Sequence, residues 1–203
     1  QILAQSPGVT FGSTGGSEIR QQVVIRGVTA SGTVGYGGTT TGYLFNDVSL
    51  VNPSVAGAIP GIDPFDLATV EVLKGPQGTL FGGAALAGAI RYVPNKPELI
   101  DTFGSLSLGL SEVADSEGLA RHYTGFLNAP ISDTAAIRVV GTKRTDPGSI
   151  DDLTTGENDI NSGGNPQARV IGLWEPTSRL SAEFMAYRFE ARSDASGSTD
   201  NPN

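Results

Sequence analysis

The sequence predicts a mainly β protein, with a small α+β part over residues 1–98 and about five antiparallel strands over residues 99–203. Glycine is the first sign: its 28 copies in 203 residues are about twice the average usage, and each costs about 1 kcal/mol in a helix interior. Before residue 97, short apolar runs alternate with loops rich in Gly, Ser, Thr and Pro. After it, apolar and polar residues alternate with a period of two, which is typical of half-buried strands.

Composition excludes several classes of protein. A net charge of −8 and a pI near 4.5 disfavour nucleic-acid binding, because phosphates require a basic surface. Without cysteine there is neither a disulfide framework nor a thiolate metal site. No run of about 18 apolar residues offers a transmembrane helix, so only a closed β-barrel would span a membrane. The start, "QILAQSPGV", has no Met and no signal-peptide pattern, and predicts entry in mid-domain.

The elements of the first part follow in order. Residues 23–27 ("VVIRG") and 43–50 ("YLFNDVSL") predict strands, separated by a glycine-rich loop. In residues 63–73 ("DPFDLATVEVL") we expect one helical turn that leads into a strand. Asp63 would cap that turn and Pro64 would occupy its first helical position.

Five segments of the second part alternate strictly enough to predict strands. They are residues 103–111, 122–128, 135–144, 168–174 and 179–189, of which 122–128 fits least cleanly. Each is about as long as the 9–11 residues of a tilted strand that crosses a bilayer. In residues 103–111, for example, Leu106, Leu108 and Leu110 share one face.

The connections between these strands alternate in length. Residues 129–135 and 175–179 are tight turns, whereas residues 112–121 and 145–166 are longer and polar. Outer-membrane barrels alternate extracellular loops and periplasmic turns in this way. A soluble antiparallel sandwich has the same alternation along its strands, so these patterns alone favour the two folds about equally. Trp174, at the turn end of its strand, tilts the balance slightly toward a membrane interface.

One segment carries a family resemblance. Residues 70–97, "VEVLKGPQGTLFGGAALAGAIRYVPNKP", resemble the closing segment of the plug domain of TonB-dependent outer-membrane receptors. In that family an apolar strand leads to an Arg-Gly-Pro turn, an aromatic-Gly pair, a run of small residues and a strand that ends in Lys-Pro. The motifs "QSPGV", "IRG" and "YLFNDVSL" agree in the same order, and the resemblance covers essentially the whole chain.

The resemblance implies a plug domain followed by the first strands of an incomplete barrel of about 22 strands. It implies a fragment of an outer-membrane transporter of a Gram-negative bacterium. This transporter would import a scarce nutrient such as a ferric siderophore, cobalamin or an oligosaccharide. The implied partners are the cargo, outer-membrane lipid, and TonB with its inner-membrane energising complex. The segment of the receptor that contacts TonB would precede this sequence. The alternative is a secreted β-rich binding module or adhesin fragment.

The resemblance also assigns roles to residues. The residues expected to form the plug signature or to hold the plug inside the barrel are Arg26, Gly27, Lys74, Gly75, Pro76, Gly78, Phe81, Gly82 and Gly88. Arg26 and Lys74 would face barrel-wall carboxylates in strands outside this chain. Lys74 stands where the family has arginine, and lysine keeps the charge but loses the bidentate fork.

Ligand contact is expected in the apical loops, residues 11–18, 29–41 and 49–62, with Tyr36, Thr39 and Asn52 as candidates. We expect no cofactor, no metal site and no catalytic residue. His122 is the one histidine, the acidic residues of the loop 145–166 lack calcium-loop spacing, and no nucleophile elbow or phosphate loop is present. The sequence therefore does not indicate an enzyme.

Overall fold

The computed structural model describes residues 6–13, 21–28, 40–50, 62–81, 85–113, 116, 118–151, 155–156, 158–190 and 192–193. The chain divides into two compact units. The first draws on residues 1–60 and 67–94, and the second on residues 61–66 and 95–196. The predicted domain boundary between residues 98 and 99 stays a prediction.

The first unit is built from short strands and one helical turn. Its elements are β1 (Val9–Ser13), β2 (Gln21–Ile25), β3 (Thr41–Phe45), β4 (Val48–Ser49), β5 (Leu67–Lys74), α1 (Gly78–Phe81) and β6 (Gly88–Pro94). Strands β1 and β2 form an antiparallel pair. The other four form a sheet in the order β4-β3-β6-β5, in which only β3 and β6 run parallel.

Two sequence predictions for this region were wrong in detail. The strand predicted over residues 43–50 is two strands, because Asn46, with a φ of 53°, turns the chain between β3 and β4. Residues 63–66 form no helical turn, since the left-handed Asp66 (φ 59°) is incompatible with one. With no helical turn there, Asp63 is not a helix cap and Pro64 does not occupy a first helical position, although Asp63 Oδ1 accepts the Phe65 N–H at 2.8 Å. The helical turn lies at Gly78–Phe81, where none was predicted.

Small residues let the first unit pack closely. Ala85 and Ala89 are fully buried against Leu44, with Leu73 and Phe81 around them. A Cβ at Gly42 would lie 3.2 Å from the Cβ of Ala85. The small residues in the described part of this run therefore allow neighbouring backbones to approach closely.

The second unit is an antiparallel sheet. Its elements are β7 (Phe103–Glu112), β8 (Leu119–Ser132), β9 (Ala135–Asp146), β10 (Gly163–Gly164), β11 (Gln167–Thr177), β12 (Leu180–Phe189) and β13 (Arg192–Ser193). The five long strands pair in the order β7-β8-β9-β11-β12, and β10 joins the end of β9 to β13. The five predicted strands are confirmed, but β8 (Leu119–Ser132) is twice as long as the predicted residues 122–128 and takes in part of the turn predicted over residues 129–135.

The two faces of this sheet differ in character. One face, here called the apolar face, exposes large hydrophobic side chains, including Leu106 (76%), Leu108 (67%) and Phe184 (69%). The opposite, polar face carries buried Asn128 and Arg138. A soluble sandwich would bury the apolar face instead. In the described part of the chain, no helix is long and apolar enough to cross a membrane.

Candidate functional site

The signature turn after β5 is hydrogen-bonded to residues that lie just before β6. Gly75, with a φ of 100°, donates its N–H to the Ala87 carbonyl at 3.0 Å, and the Gln77 N–H reaches the Ala85 carbonyl at 2.8 Å. Pro76 lies between Gly75 and Gln77 and restricts the backbone conformation of the turn, because its ring fixes φ. The helix α1 then begins at Gly78 and ends at Phe81.

Gly88 begins β6 in a position that admits no side chain. Its φ is 152°, and a Cβ there would lie 2.3 Å from the Leu73 carbonyl oxygen and 2.9 Å from Cδ1 of Ile25. The pairing of β5 with β6 therefore requires glycine at this position.

The predicted seating cations lie at the surface of the first unit. Lys74 donates from Nζ to the Pro7 carbonyl at 2.6 Å. Arg26 and Gly27 form a turn with φ values of 51° and 77°, and the Arg26 N–H donates to the Gly8 carbonyl at 2.7 Å. The Lys74 ammonium thus has a backbone partner in the first unit, whereas the bond of Arg26 is made by its backbone N–H; the pairing of both charges with barrel carboxylates stays a prediction.

The predicted ligand contacts fall outside the described residues. Tyr36, Thr39 and Asn52 all lie in undescribed parts of the chain, as does Gly82 of the signature. A shallow recess in the second unit, lined in part by Asp63, Thr142 and Tyr187, is large enough for about one water molecule. It is too small to be a nutrient site.

A charge network links three strands of the first unit. Arg91 on β6 contacts Glu71 on β5 (Nη1–Oε2, 3.2 Å) and Asp47 in the β3–β4 turn (Nη2–Oδ1, 2.9 Å). Its Nε also donates to the Asn46 carbonyl at 2.9 Å. The hydrogen bond to Glu71 raises the pKa of Arg91. Nearby, burial raises the pKa of Tyr92 to about 12, so its phenol stays neutral.

The most buried ionic site lies in the second unit, around Asp66. Arg138 donates two hydrogen bonds to this carboxylate, from Nε to Oδ2 at 2.9 Å and from Nη2 to Oδ1 at 2.6 Å. Arg169 donates from Nη2 to the Asp66 carbonyl at 2.9 Å and approaches Oδ2 at 3.5 Å. Side-chain exposure is 2% for Asp66 and 5% for each arginine. We call these three residues the Asp66 cluster.

Strand register explains how the two arginines meet. Arg138 on β9 pairs with Ile171, and Arg169 on β11 pairs with Val140, so the arginines are diagonal neighbours on the polar face. The guanidinium of Arg138 also stacks over Phe126, 4.2 Å from the ring centroid. This cation–π contact holds the fork in a fixed orientation toward Asp66.

The charge of Asp66 is stabilised in this site. Burial alone would raise its pKa, but hydrogen bonds from Arg138 and Asn95 and the charges of both arginines outweigh burial and hold the pKa below its ordinary value. Asp66 is therefore ionised at neutral pH. Three residues upstream, Asp63 lies 3.6 Å from Nε2 of the half-exposed His122.

The segment that connects β6 to β7 is held by two asparagines, Asn95 at Asp66 and Asn128 on β8. Asn95 donates its N–H to the Asp66 carbonyl at 3.2 Å and its Nδ2 to Oδ1 at 2.9 Å. Asn128, fully buried on β8, accepts the Glu98 N–H at 2.9 Å and donates to the carbonyls of Glu98 (3.0 Å) and Asp101 (2.8 Å). Both segments that join the units are thus hydrogen-bonded to the sheet of the second unit.

Sequence reasoning missed the Asp66 cluster. Arg138 and Arg169 each lie within a predicted alternating strand, and this was a signal, because a charged side chain on a buried face requires a partner. The partner itself was not identifiable, since Asp66 and Arg138 are separated by 72 residues. In the described part of the chain, no group of three or more His, Cys, Asp or Glu side chains is placed to hold a metal ion.

Comparisons with known proteins agree with this architecture. Residues 1–89 match the model of the TonB-dependent Receptor Plug Domain. The ferrichrome outer membrane transporter/phage receptor of Escherichia coli K12 is 30% identical over 97 residues, which cover 48% of this chain and 12% of that protein. The vitamin B12 transporter BtuB of Vibrio vulnificus CMCP6 is 27% identical over 158 residues, 77% of this chain and 24% of that protein.

Solved structures share the fold. The ferric yersiniabactin uptake receptor FyuA of Yersinia pestis superposes with a TM-score of 0.69 at 23% identity, over 91% of this chain and 27% of that one. The pyoverdine receptor FpvA of Pseudomonas aeruginosa gives 0.70 at 16% identity, over 94% of this chain and 24% of that one.

A unit that matches the plug-domain model is followed in this chain by an antiparallel sheet with an exposed apolar face, and the solved receptor structures described above share this fold. Over residues 1–89 the chain is similar to the plug domain of TonB-dependent receptors. It spans 12% and 24% of the two curated relatives described above.

Proposed function

We propose that this chain is part of a transporter in the outer membrane of a Gram-negative bacterium, which binds a scarce nutrient and imports it with energy supplied through TonB. The observation that carries the proposal is the order of parts within one chain. A plug-family match over residues 1–89 is followed by five long antiparallel strands. The family resemblance and the names of the relatives support the same function.

The faces of the sheet support the membrane setting. Leu106, Leu108 and Phe184 are more than half exposed on the apolar face, which suits lipid. The buried charges of the Asp66 cluster lie on the other face. A secreted binding module would expose these leucines to water, so the observation disfavours that alternative.

The connections between strands suggest which end faces outward. The β8–β9 and β11–β12 turns are short, whereas β7–β8 and β9–β11 are joined by longer segments. Long loops lie on the extracellular side of such barrels. Cargo would be captured there together with the apical plug loops, with Tyr36, Thr39 and Asn52 as candidate contacts.

The cargo is a small nutrient. The relatives carry the names of transporters or receptors for ferrichrome, ferrioxamine and vitamin B12. A ferric siderophore or cobalamin therefore fits best, and an oligosaccharide is the further candidate. The complete receptor, of which this chain is a part, performs transport and not catalysis. TonB and its inner-membrane complex supply the energy, and Arg26 and Lys74 help to seat the plug on barrel carboxylates.

Uptake measurements test this function. The full-length gene is expressed in a host that lacks its own receptors, and cells are supplied with radiolabelled ferric siderophores, cobalamin or oligosaccharides. We expect the receptor in the outer-membrane fraction and uptake of one cargo class that disappears when TonB is deleted. A product found in the soluble fraction, or uptake that is unchanged without TonB, would contradict the proposal.

A further inference from the structure

We propose that the recess beside Thr142 is a binding site for one water molecule, which joins Asp63 to Thr142 on β9. This water accepts a hydrogen bond from the Thr142 hydroxyl group and donates one to the Asp63 carboxylate. All residues that line the recess belong to the second unit. The inference goes beyond the proposed function, because it depends neither on the cargo nor on TonB.

The size and the lining of the recess define its occupant. It has room for about one water molecule, so a larger ligand does not fit. Five of the lining residues carry polar side chains: Asp63, Thr142, Gln167, Arg169 and Tyr187. Apolar cavities stay dry, whereas cavities with two to four hydrogen-bonding groups hold water. The recess is of the second kind.

The hydroxyl group of Thr142 carries the inference. This residue is only 8% exposed, and its Oγ1 is buried without a hydrogen-bond partner among the described residues. A buried hydroxyl group that has lost its bonds to solvent destabilises a protein unless another partner replaces them. Buried polar side chains therefore nearly always have a partner, either protein or ordered water. The adjoining recess provides the space for such a water.

Hydrogen bonds hold the other polar groups of the recess in place. Thr142 on β9 pairs with Gln167 on β11. The Tyr187 O–H donates to Gln167 Oε1 at 2.9 Å, and the Asp63 N–H donates to the same oxygen at 3.0 Å. The Gln167 side chain thus links Asp63 to the sheet, and the bound water adds a second link beside it.

Asp63 supplies the acceptor for the water. Its Oδ1 accepts the Phe65 N–H at 2.8 Å, and its Oδ2 lies 3.6 Å from Nε2 of His122. A carboxylate has about four acceptor positions, so Asp63 has the capacity for a further donor. Its side chain is mostly buried. A water that accepts from Thr142 therefore has an acceptor nearby for one of its own protons.

The charges in the lining favour a neutral ligand over an ion. The guanidinium of Arg169 is almost fully buried, and its positive charge disfavours a cation in the recess. The carboxylate of Asp63 disfavours an anion for the same reason. Water is neutral and both donates and accepts hydrogen bonds, so it is compatible with both charges.

The sign of a stability change tests the site. Thr142→Val replaces the hydroxyl group with a methyl group of similar size. With water in the recess, the variant removes one of its partners, and the midpoint of urea unfolding should fall below that of the wild type. Without a bound water, the same change removes an unsatisfied hydroxyl group, and the midpoint should rise. The measurement uses the full-length receptor refolded in lipid vesicles.

Two further variants serve as controls. Thr124 pairs with Thr142 from β8 and is similarly buried, but it does not line the recess. Thr124→Val should therefore leave the midpoint unchanged or raise it. Thr142→Ser keeps the hydroxyl group and should keep the water. Crystal structures of the full-length receptor should show a water within hydrogen-bond distance of the hydroxyl group in the wild type and in Thr142→Ser, and no water there in Thr142→Val.

The proposal is overturned if Thr142→Val raises the urea midpoint, or if both valine variants lower it equally. A wild-type crystal structure without a water beside Thr142 overturns it as well, and this readout holds even where a variant fails to fold. A wild-type midpoint that falls when choline replaces sodium in the buffer would identify a cation in the recess, and would also overturn the proposal.

Discussion

Arg138 and Asp66 form a bidentate pair, with Nε–Oδ2 at 2.9 Å and Nη2–Oδ1 at 2.6 Å. Both side chains are almost fully buried, with exposures of 5% and 2%. A buried ion pair adds little net stability compared with an apolar replacement of both partners. Removal of one partner is different, because it leaves the other charge buried and incompletely compensated.

Arg138→Met should therefore destabilise the full-length receptor by about 3 kcal/mol. The variant leaves the Asp66 carboxylate with Arg169 and Asn95 as partners, and it also removes the cation–π contact with Phe126. Urea denaturation of receptor refolded in lipid vesicles measures the change. Lys96→Gln, which breaks the ion pair of the exposed Lys96 with the partly buried Glu183, should cost about 1 kcal/mol. Equal losses in the two variants would contradict the role of the cluster.

The stabilising effect of Asp66 should depend on pH in a defined direction. Its pKa is lower in the folded protein than its ordinary value of 3.8. The carboxylate therefore contributes its full stability above that value, and the contribution is lost as the pH falls through the lower, folded-state pKa. The difference in unfolding free energy between wild type and Asp66→Asn should stay constant from pH 7 to about 5, then shrink below about pH 4. A difference that shrinks already between pH 7 and 5 would contradict this assignment.

The sequence predicted most of the second unit, because a half-buried strand shows its two faces directly as alternation. Leu106, Leu108 and Leu110 share the exposed face as expected. It predicted less of the first unit. The split at Asn46 depends on a single left-handed residue, and the helical turn expected after Asp63 is replaced by the left-handed Asp66. Neither conformation has a periodic signal.

The Asp66 cluster was beyond sequence reasoning for a different reason. Its members come from a turn and from two strands, separated by 72 and 103 residues. Only the register of β9 against β11 brings Arg138 and Arg169 together on one face. The seating roles of Arg26 and Lys74, by contrast, came from family resemblance and remain predictions.

Two glycines of the signature should differ in their tolerance of alanine. At Gly88 a Cβ would lie 2.3 Å from the Leu73 carbonyl oxygen, so the paired backbones must separate. At Gly75, with a φ of 100°, a Cβ meets nothing within 4 Å. Gly75→Ala should thus cost only backbone strain of about 1–2 kcal/mol.

Gly88→Ala adds overpacking to strain and should cost about 3 kcal/mol or more. Urea denaturation of the two variants under identical conditions compares them. Limited proteolysis should in addition cut Gly88→Ala between β5 and β6 sooner than Gly75→Ala. If Gly75→Ala is the less stable variant, the close approach of β5 and β6 at Gly88 is wrong.

A pair of neighbouring residues on β7 distinguishes the two faces of the sheet. Leu108 lies on the apolar face and is 67% exposed, whereas Ser107 pairs with the buried Thr124 on the polar face. If the apolar face contacts lipid, Leu108→Lys places a charge in hydrocarbon and should cost about 2–4 kcal/mol near the bilayer midplane. Ser107→Lys places the same charge on the face that already carries Arg138, and should cost less than about 1 kcal/mol. Refolding of both full-length variants into vesicles, followed by urea titration, gives the two free energies. Equal costs, or a larger cost for Ser107→Lys, would show that the apolar face does not contact lipid.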